Sequence, residues 1–236
     1  MLAELGLVLD HVEKFAKVEE YKAAIIDDNI LGKPTQATRR RTAERLIELY
    51  ALAPKCSVFR LLRHFWNADI LARPLLAYLA AAARDPVLRG ATPFVLALPF
   101  GSALSPSQTV SYLEEIYPKR FRESTGLATA QRLGSSWTQA GYLKGKVNKK
   151  RGRTVVSPVS VAFSFVLGYL GGCRGKMLLD TVWTRMLDRT PPEISALAHE
   201  ASSQGWLSYK AAGSIVEITF PGLLTTQEEK ASHEPD

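Results

Sequence analysis

The sequence predicts a mainly α-helical protein, in which an N-terminal helical bundle is followed by two winged-helix-like modules with short β-hairpins. Three observations support this fold class: helical periodicity through the first hundred residues, a helix, helix, hairpin order after Pro99-Phe100-Gly101, and a recurrence of that order 64 residues later. With 46% hydrophobic and 22% charged residues in a chain of 236, the composition is that of a globular protein large enough to bury a core.

The N-terminal region, predicted as residues 1–100, carries helix signals and no sign of a β-hairpin. Thr35 is a favourable N-cap for a helix reaching about Leu52, because an apolar face recurs along it at helical spacing. Asp85 followed by Pro86 is a second start signal, since aspartate caps free backbone N–H groups and proline fits the first helical turn. These patterns predict a helical bundle.

The pattern changes in the next fifty residues. Ser105-Pro106 opens one helix, Ser124 is predicted to cap a second, and Gly141 closes it. Two β-prone runs follow, Tyr142–Val147 and Arg153–Val156, and the five residues between them begin with Asn and end with Gly, as suits a hairpin. Helix, helix, hairpin is the element order of a winged helix.

The same order recurs after residue 157. Helices are predicted over 159–170 and 176–187, and Thr190-Pro191 caps a third helix that leads into a second hairpin around Ala212-Gly213. The helix-to-strand junction repeats as Gly-Tyr-Leu at 141–143 and Gly-Trp-Leu at 205–207, which supports a structural repeat. The predicted boundaries are 1–100 for the helical domain, 101–157 for the first module, 158–224 for the second and 225–236 for a disordered tail.

The basic charge is concentrated in one quarter of the chain. The net charge is +7 and the isoelectric point is about 9.4. Residues 105–157 hold ten Lys or Arg and three Glu, so this segment accounts for the whole surplus. Six of the ten lie in YLKGKVNKKRGRTVV (142–156), which contains no acid. Charge concentrated in this way favours an anionic partner.

These patterns predict a surface for double-stranded DNA with three parts. The basic hairpin is the predicted wing, with Lys149–Arg151 at a tip that lies along the phosphate backbone. The helix before it has small, hydroxyl and amide residues on its outer face, as a helix entering the major groove requires. Arginines early in the Thr35-capped helix supply a further phosphate contact. The candidate residues are Lys144, Lys146, Lys149, Lys150, Arg151 and Arg153 in the wing, Thr125, Gln131, Arg132, Ser135 and Gln139 in the helix, and Arg39, Arg40 and Arg41 in the N-terminal domain.

Each part also has a plainer explanation. A basic run can be a solvated loop, a polar helix face can simply face water, and the three arginines can pair with Glu44 and Glu48 on their own helix. Two other functions therefore stay open. One is binding of structured RNA, whose A-form shape also suits basic helices. The other is a protein-interaction scaffold that uses the apolar second hairpin, Trp206–Phe220, as its interface.

No motif indicates enzymatic chemistry, so the sequence predicts a non-enzyme with no catalytic residue, metal or cofactor. It lacks a glycine-rich phosphate loop, an HExxH motif and a nucleophile elbow. Cys56 and Cys173 lie far apart, which favours free thiols in a reduced, cytoplasmic protein. The N-terminus has acids but no basic n-region, and the longest uncharged apolar run, Pro158–Cys173, is short for a membrane span.

Three segments resemble the BrxA family of bacterial BREX (bacteriophage exclusion) phage-defence systems. They are YKAAIIDDNILGKPTQATRRRTAERLIELYAL (21–52), SSWTQAGYLKGK (135–146) and DTVWTRMLDRTPPEI (180–194), and the resemblance extends over roughly residues 18–224. It implies a small, mostly helical, non-enzymatic protein of winged-helix character that binds double-stranded DNA. It further implies action beside a methyltransferase, an ATPase and a phosphatase-like component. Some family members are labelled inner-membrane proteins, which the hydropathy of this chain does not favour.

Overall fold

A computed structural model describes residues 1–213 and 215–231 and confirms the mainly α fold with short antiparallel sheets. The α-helices of this part of the chain are α1 Leu2–His11, α2 Val18–Ile26, α3 Gln36–Tyr50, α4 Ser57–Phe65, α5 Arg73–Arg84, α6 Pro86–Ala97, α7 Pro106–Ile116, α8 Glu123–Gln139, α9 Pro158–Leu170, α10 Val182–Arg185, α11 Pro191–Ser203 and α12 Thr226–Ala231. The strands are β1 Ala103–Leu104, β2 Leu143–Lys144, β3 Lys149–Arg151, β4 Ser208–Ala212 and β5 Ile215–Thr219, and 3₁₀ helices cover Ile70–Ala72 and Gly175–Asp180.

Local capping chemistry sets several helix starts where the sequence predicts them. The Thr35 hydroxyl accepts a hydrogen bond from the Thr38 backbone N–H at 3.2 Å. The Asp85 carboxylate accepts from the N–H groups of Val87 and Leu88 at 2.9 and 3.0 Å. Each side chain satisfies donors that the first helical turn leaves free.

Helices α5 and α9 form the centre of the molecule. Leu75–Ala82 of α5 and Val159–Tyr169 of α9 are buried without interruption, which requires helices that are apolar on every side. Helix α9 packs against both α4 and α5 of the N-terminal bundle and against α10 and α11 of the second module. The bundle and the second module therefore share one hydrophobic core.

The first module has the winged-helix order α6, β1, α7, α8, β2, β3. Its three short strands form one antiparallel sheet in the order β1-β3-β2, and β1 is a strand that the sequence pattern missed. Helix α6 packs against α7 and α8 and also against α5 of the N-terminal bundle, so it connects the bundle to the first module. Helix α8 begins at Glu123 with Arg122 as its N-cap, two residues before the predicted N-cap Ser124.

The second module repeats this element order, with the 3₁₀ helix Gly175–Asp180 in the position that β1 has in the first module. Gly141 and Gly205 both end their helices with positive φ, 89° and 79°, which glycine adopts without a Cβ clash. Strands β4 and β5 form the second hairpin, and the 3₁₀ helix Gly175–Asp180 packs along β5. The helix predicted over 176–187 is interrupted, because the Thr181 hydroxyl accepts from the Thr184 N–H at 3.2 Å and caps a new helix, α10.

The C-terminal segment is more ordered than predicted. A disordered tail was expected over 225–236, but Thr226–Ala231 forms α12. Arg60 of α4 holds this helix, since its guanidinium donates to Glu228 at 2.5 Å and to the Leu223 carbonyl at 2.9 Å. The rest of the predicted tail, 232–236, lies outside the described residues.

A buried ion pair joins the two modules. The Arg151 side chain at the end of β3 is fully buried and donates to Asp188, between α10 and α11, at 2.7 Å. Its second terminal nitrogen donates to the carbonyls of Tyr142 and Gly152, and the guanidinium carbon lies 4.9 Å from the Phe100 ring centroid. This pair fixes the base of the first hairpin against the second module.

We expect Asp188→Asn to lower the free energy of unfolding by about 3 to 5 kcal/mol, because it leaves the Arg151 charge buried without a counter-charge. Asn tolerates the positive φ of 56° at this position, so the substitution removes the charge without straining the backbone. Urea unfolding measures the loss.

The matched control is Asp180→Asn. Asp180 pairs with Arg185 at 2.8 Å, but the two side chains are 74% and 67% exposed. We expect no measurable cost there, because solvent screens an exposed ion pair. Equal costs at Asp180 and Asp188 would show that burial of the Arg151 pair does not matter to stability.

The Glu228 anchor predicts a loss of stability in acid. Burial raises the pKa of Glu228, but hydrogen bonds from Arg60, Ser57 and the Thr225 backbone outweigh it and lower the pKa from 4.5 to about 2. A lowered pKa stabilises the fold above the unfolded-state value and loses that contribution as pH falls from 4.5 towards 2. We expect Glu228→Gln to cost about 1 to 2 kcal/mol at pH 7, after allowance for solvent screening, and less at pH 3.

Urea titrations of wild type and Glu228→Gln at both pH values measure this difference. Glu200→Gln is the control, because it makes the same chemical change at an exposed position of α11 away from the Arg60 contact. A Glu228→Gln cost that stays the same at pH 7 and pH 3 would contradict an ionic anchor.

Candidate nucleic-acid interface

The wing exists, but its strands and tip lie elsewhere than predicted. Leu143 pairs with Arg151 and Lys144 with Lys150, so the connecting loop is 145–148 rather than 148–152. Gly145 makes this loop possible, because its φ of 98° and the closeness of the Asn148 carbonyl leave no room for a side chain. Lys149–Arg151 is therefore a strand, and Lys146, Val147 and Asn148 form the tip.

Two of the predicted DNA-contacting residues, Arg151 and Arg153, form ion pairs with acidic residues of the protein itself. Arg151 was predicted at the wing tip, but it is buried and paired with Asp188, so it cannot reach an external phosphate in this structure. Alternation along β3 explains the error, since Lys150 points outward and the residues on either side of it point inward. Arg153 is half exposed and donates to both carboxylate oxygens of Glu193, at 2.9 and 3.1 Å.

Three wing lysines carry charge that the described protein does not neutralise. The side chains of Lys144, Lys146 and Lys150 are exposed and form no hydrogen bond or ion pair within residues 1–213 and 215–231. Lys144 and Lys150 stand directly opposite each other across β2 and β3, a register in which like charges repel. The hairpin thus holds positive charges close together.

Lys149 fastens the wing to one side of α8. Its aliphatic stem packs over Gly134, and its ammonium donates to the Thr138 hydroxyl at 3.1 Å and to the Lys146 carbonyl at 3.3 Å. Gly134 provides the space that this stem fills. The main role of Lys149 in this structure is therefore to position the wing against α8.

The outward face of α8 divides into a free N-terminal half and an occupied C-terminal half. Thr125, Gln131 and Arg132 are exposed, and their side chains form no hydrogen bond with the described residues. The Ser135 hydroxyl accepts a hydrogen bond from the side-chain amide nitrogen of Gln139 at 3.1 Å, while the side-chain amide oxygen of Gln139 accepts from the Leu2 N–H at 3.1 Å. Gln139, predicted to read bases, instead caps α1.

Helix α3 flanks the other side of α8. Arg39 is partly buried and donates to the carbonyls of Ile26 and Lys33, so it binds the end of α2 rather than a ligand. Arg40 and Arg41 are exposed, and no acid within the described residues pairs with them. Arg41 lies on the same helix face as Arg45, which is one turn further along α3. Arg45 and Arg132 both line a cleft between α3 and α8.

The described residues include neither a cluster of possible metal ligands nor a helix that could span a membrane. Within them, no group of three or more His, Cys, Asp or Glu residues could hold a metal ion. No helix in that part of the chain is both long enough and apolar enough to cross a bilayer.

The fold and this surface define a helical protein with two winged-helix modules, of which the first has a basic wing beside an exposed helix. Comparisons of the chain with protein-family models, curated proteins and solved structures find no match.

Gly145→Ala should disorder the wing, because the added Cβ meets the Asn148 carbonyl in a backbone conformation that L residues avoid. We expect faster hydrogen exchange at the amides of 143–151, measured by mass spectrometry. Gly172→Ala is the control, since Gly172 also has a positive φ of 89° but nothing within 4 Å of its Cβ position. Unchanged exchange over 143–151 in Gly145→Ala would contradict the turn described here.

Proposed function

We propose that the protein is a non-enzymatic double-stranded DNA-binding protein that uses the first winged-helix module. The observation that carries this proposal is the pairing of Lys144 with Lys150 across the wing. Like charges on directly opposite strand positions weaken a hairpin, and no acid among the described residues offsets them. A polyanion held along the wing would remove the repulsion.

The surroundings of α8 support duplex DNA as that polyanion. The helix lies between the wing, fastened through Lys149, and the arginine-bearing face of α3. A helix whose N-terminal residues enter the major groove while flanking basic elements meet phosphates is the docking geometry of winged and helix-turn-helix proteins. The small side chain of Ala128, between Thr125 and Arg132, leaves room for this part of the helix to approach the floor of a groove.

Affinity should come mostly from phosphates, with limited sequence selectivity. Gln139 is occupied by α1, so Gln131 and Arg132 are the long side chains left on the outward face that can reach base edges. The cationic groups available for phosphates are the three wing lysines and Arg40 and Arg41. The second module does not add to this surface, because its hairpin pairs Lys210 with Glu217 at 3.9 Å.

The resemblance of the chain to the BrxA family adds a cellular setting to the proposal. In that setting the protein acts in a BREX-like anti-phage defence system in the cytoplasm, beside a methyltransferase, an ATPase and a phosphatase-like component. The DNA-binding surface described above does not depend on this setting, and each can be tested without the other.

The deciding experiment is a salt titration of duplex DNA binding by the wing variant Lys144→Gln, Lys146→Gln, Lys150→Gln. Each lysine that meets a phosphate contributes about one unit to the slope of log K against log salt. We expect the slope to fall by about three and the affinity at 0.15 M salt to fall roughly 10- to 100-fold. Electrophoretic shift with two unrelated duplexes measures both quantities and the selectivity.

The matched control neutralises three exposed lysines elsewhere, Lys22, Lys55 and Lys176. It has the same net charge as the wing variant, so equal losses in the two variants would overturn a wing-specific site. Competition with an RNA duplex of equal length separates DNA from structured RNA, since tighter binding of the RNA would reject the proposed partner. Charge changes at Arg151 are unsuitable here, because they break the buried pair with Asp188.

A further inference from the structure

A cleft of about 430 Å³ lies between the inward edge of α8 and helices α3 and α5. Its floor is apolar and includes Leu49, Ala77, Ala81, Leu88 and Leu133. A volume of a few hundred cubic ångströms with an apolar floor and a few polar groups is typical of small-molecule sites. The cleft adjoins the proposed DNA surface, because Arg132, Ser135 and Gln139 of the outward face of α8 also line it.

The polar groups of this cleft favour an anion. Arg132 and Arg45 come from opposite walls, and Arg132 has no partner among the described residues, while exposed Glu48 pairs with Arg45 at 3.0 Å. The acid within the lining is Asp85, whose carboxylate is already engaged by two N–H groups at the start of α6. The positive end of that helix offsets its charge.

A buried tyrosine supplies an unused hydrogen-bonding group. Tyr50 lines the cleft and is 4% exposed, but its hydroxyl forms no hydrogen bond with the described residues. By contrast, the buried hydroxyls of Tyr78 and Tyr142 bond to Thr92 and to the Met186 carbonyl. Burial, together with the charge of Glu4, raises the pKa of Tyr50, so this hydroxyl stays protonated and can donate. Because the Tyr50 hydroxyl oxygen keeps some exposed surface in the cleft, water or a bound molecule can accept its hydrogen bond.

We propose that this cleft binds a small amphipathic anion, with its apolar body on the floor, its anionic group on Arg132 and a polar atom at the Tyr50 hydroxyl. The proposal needs no DNA and goes beyond the proposed function. Its consequence for DNA does rest on that function: Arg132 also belongs to the outward face of α8, so the occupant and a DNA duplex compete for one side chain.

Two fluorescent probes that differ by one charge test the site. They are 8-anilinonaphthalene-1-sulfonate, which is anionic, and N-phenyl-1-naphthylamine, which has the same rings without the sulfonate. We expect wild type to bind the anion roughly tenfold more tightly, and Arg132→Gln to remove most of that preference. Lys22→Gln, which removes the same charge outside the cleft, should leave the preference intact. Tyr50→Phe should weaken the sulfonate probe by about threefold.

Occupation of the cleft itself is tested by filling it. Ser136 lines the cleft from α8, and Ser136→Trp should lower the affinity of both probes by about tenfold or more. Thr129→Phe, from the same wall, serves if the first variant unfolds in a thermal scan. Equal binding of both probes by wild type, no binding of either, or binding unaffected by the filling variants would overturn the proposal.

Competition with DNA is measured separately. Saturating duplex should weaken the sulfonate probe, and by reciprocity the probe should weaken the duplex by the same factor. A duplex that binds without changing the probe titration would overturn the coupling, and the probe titrations without DNA would still decide the site. If no duplex binds at all, the proposed function fails, and those same titrations still give their answer.

Discussion

The buried ion pair between Arg151 and Asp188 is the constraint on which the arrangement of the two modules depends. A charge with no exposed surface needs a counter-charge close by, and here the partner comes from the other module. This requirement fixes β3, and with it β1 and β2, against the turn before α11. The wing then has a rigid base and a free tip.

One fold plan serves two surfaces in this chain. Both modules pass from helix to hairpin through a glycine of positive φ, Gly141 or Gly205, yet their hairpins differ in chemistry. The first exposes uncompensated lysines beside a slim helix face. The second buries Tyr209, Ile218 and Phe220 in the shared core. The repeat is structural, and only its first copy has the charge of a nucleic-acid surface.

The elements that the sequence predicts correctly are those with local causes. Thr35 and Asp85 bond to N–H groups two or three residues away, so their patterns identify helix starts. The errors have distant causes: Arg151 is buried because of Asp188, 37 residues on, and α12 is held by Arg60, 168 residues before Glu228. The register of the wing strands was not predicted correctly, because strands of two and three residues are too short for the alternation of apolar and polar side chains to define their pairing. Helical periodicity identified the exposed candidate residues of α8. It could not show that Gln139 bonds to the Leu2 N–H of α1, because the two residues are far apart in the sequence.

The separation of a fixed base from a free tip has an evolutionary consequence. The ammonium groups of Lys144, Lys146 and Lys150 form no hydrogen bond or ion pair with the described residues, whereas the fold requires Arg151 and Gly145. We therefore expect a change of charge at these three positions to cost less folding stability than a change at Arg151 or Gly145. The surface charge of this hairpin could therefore change residue by residue during evolution, while selection for folding preserves the buried ion pair and the tight turn beneath it.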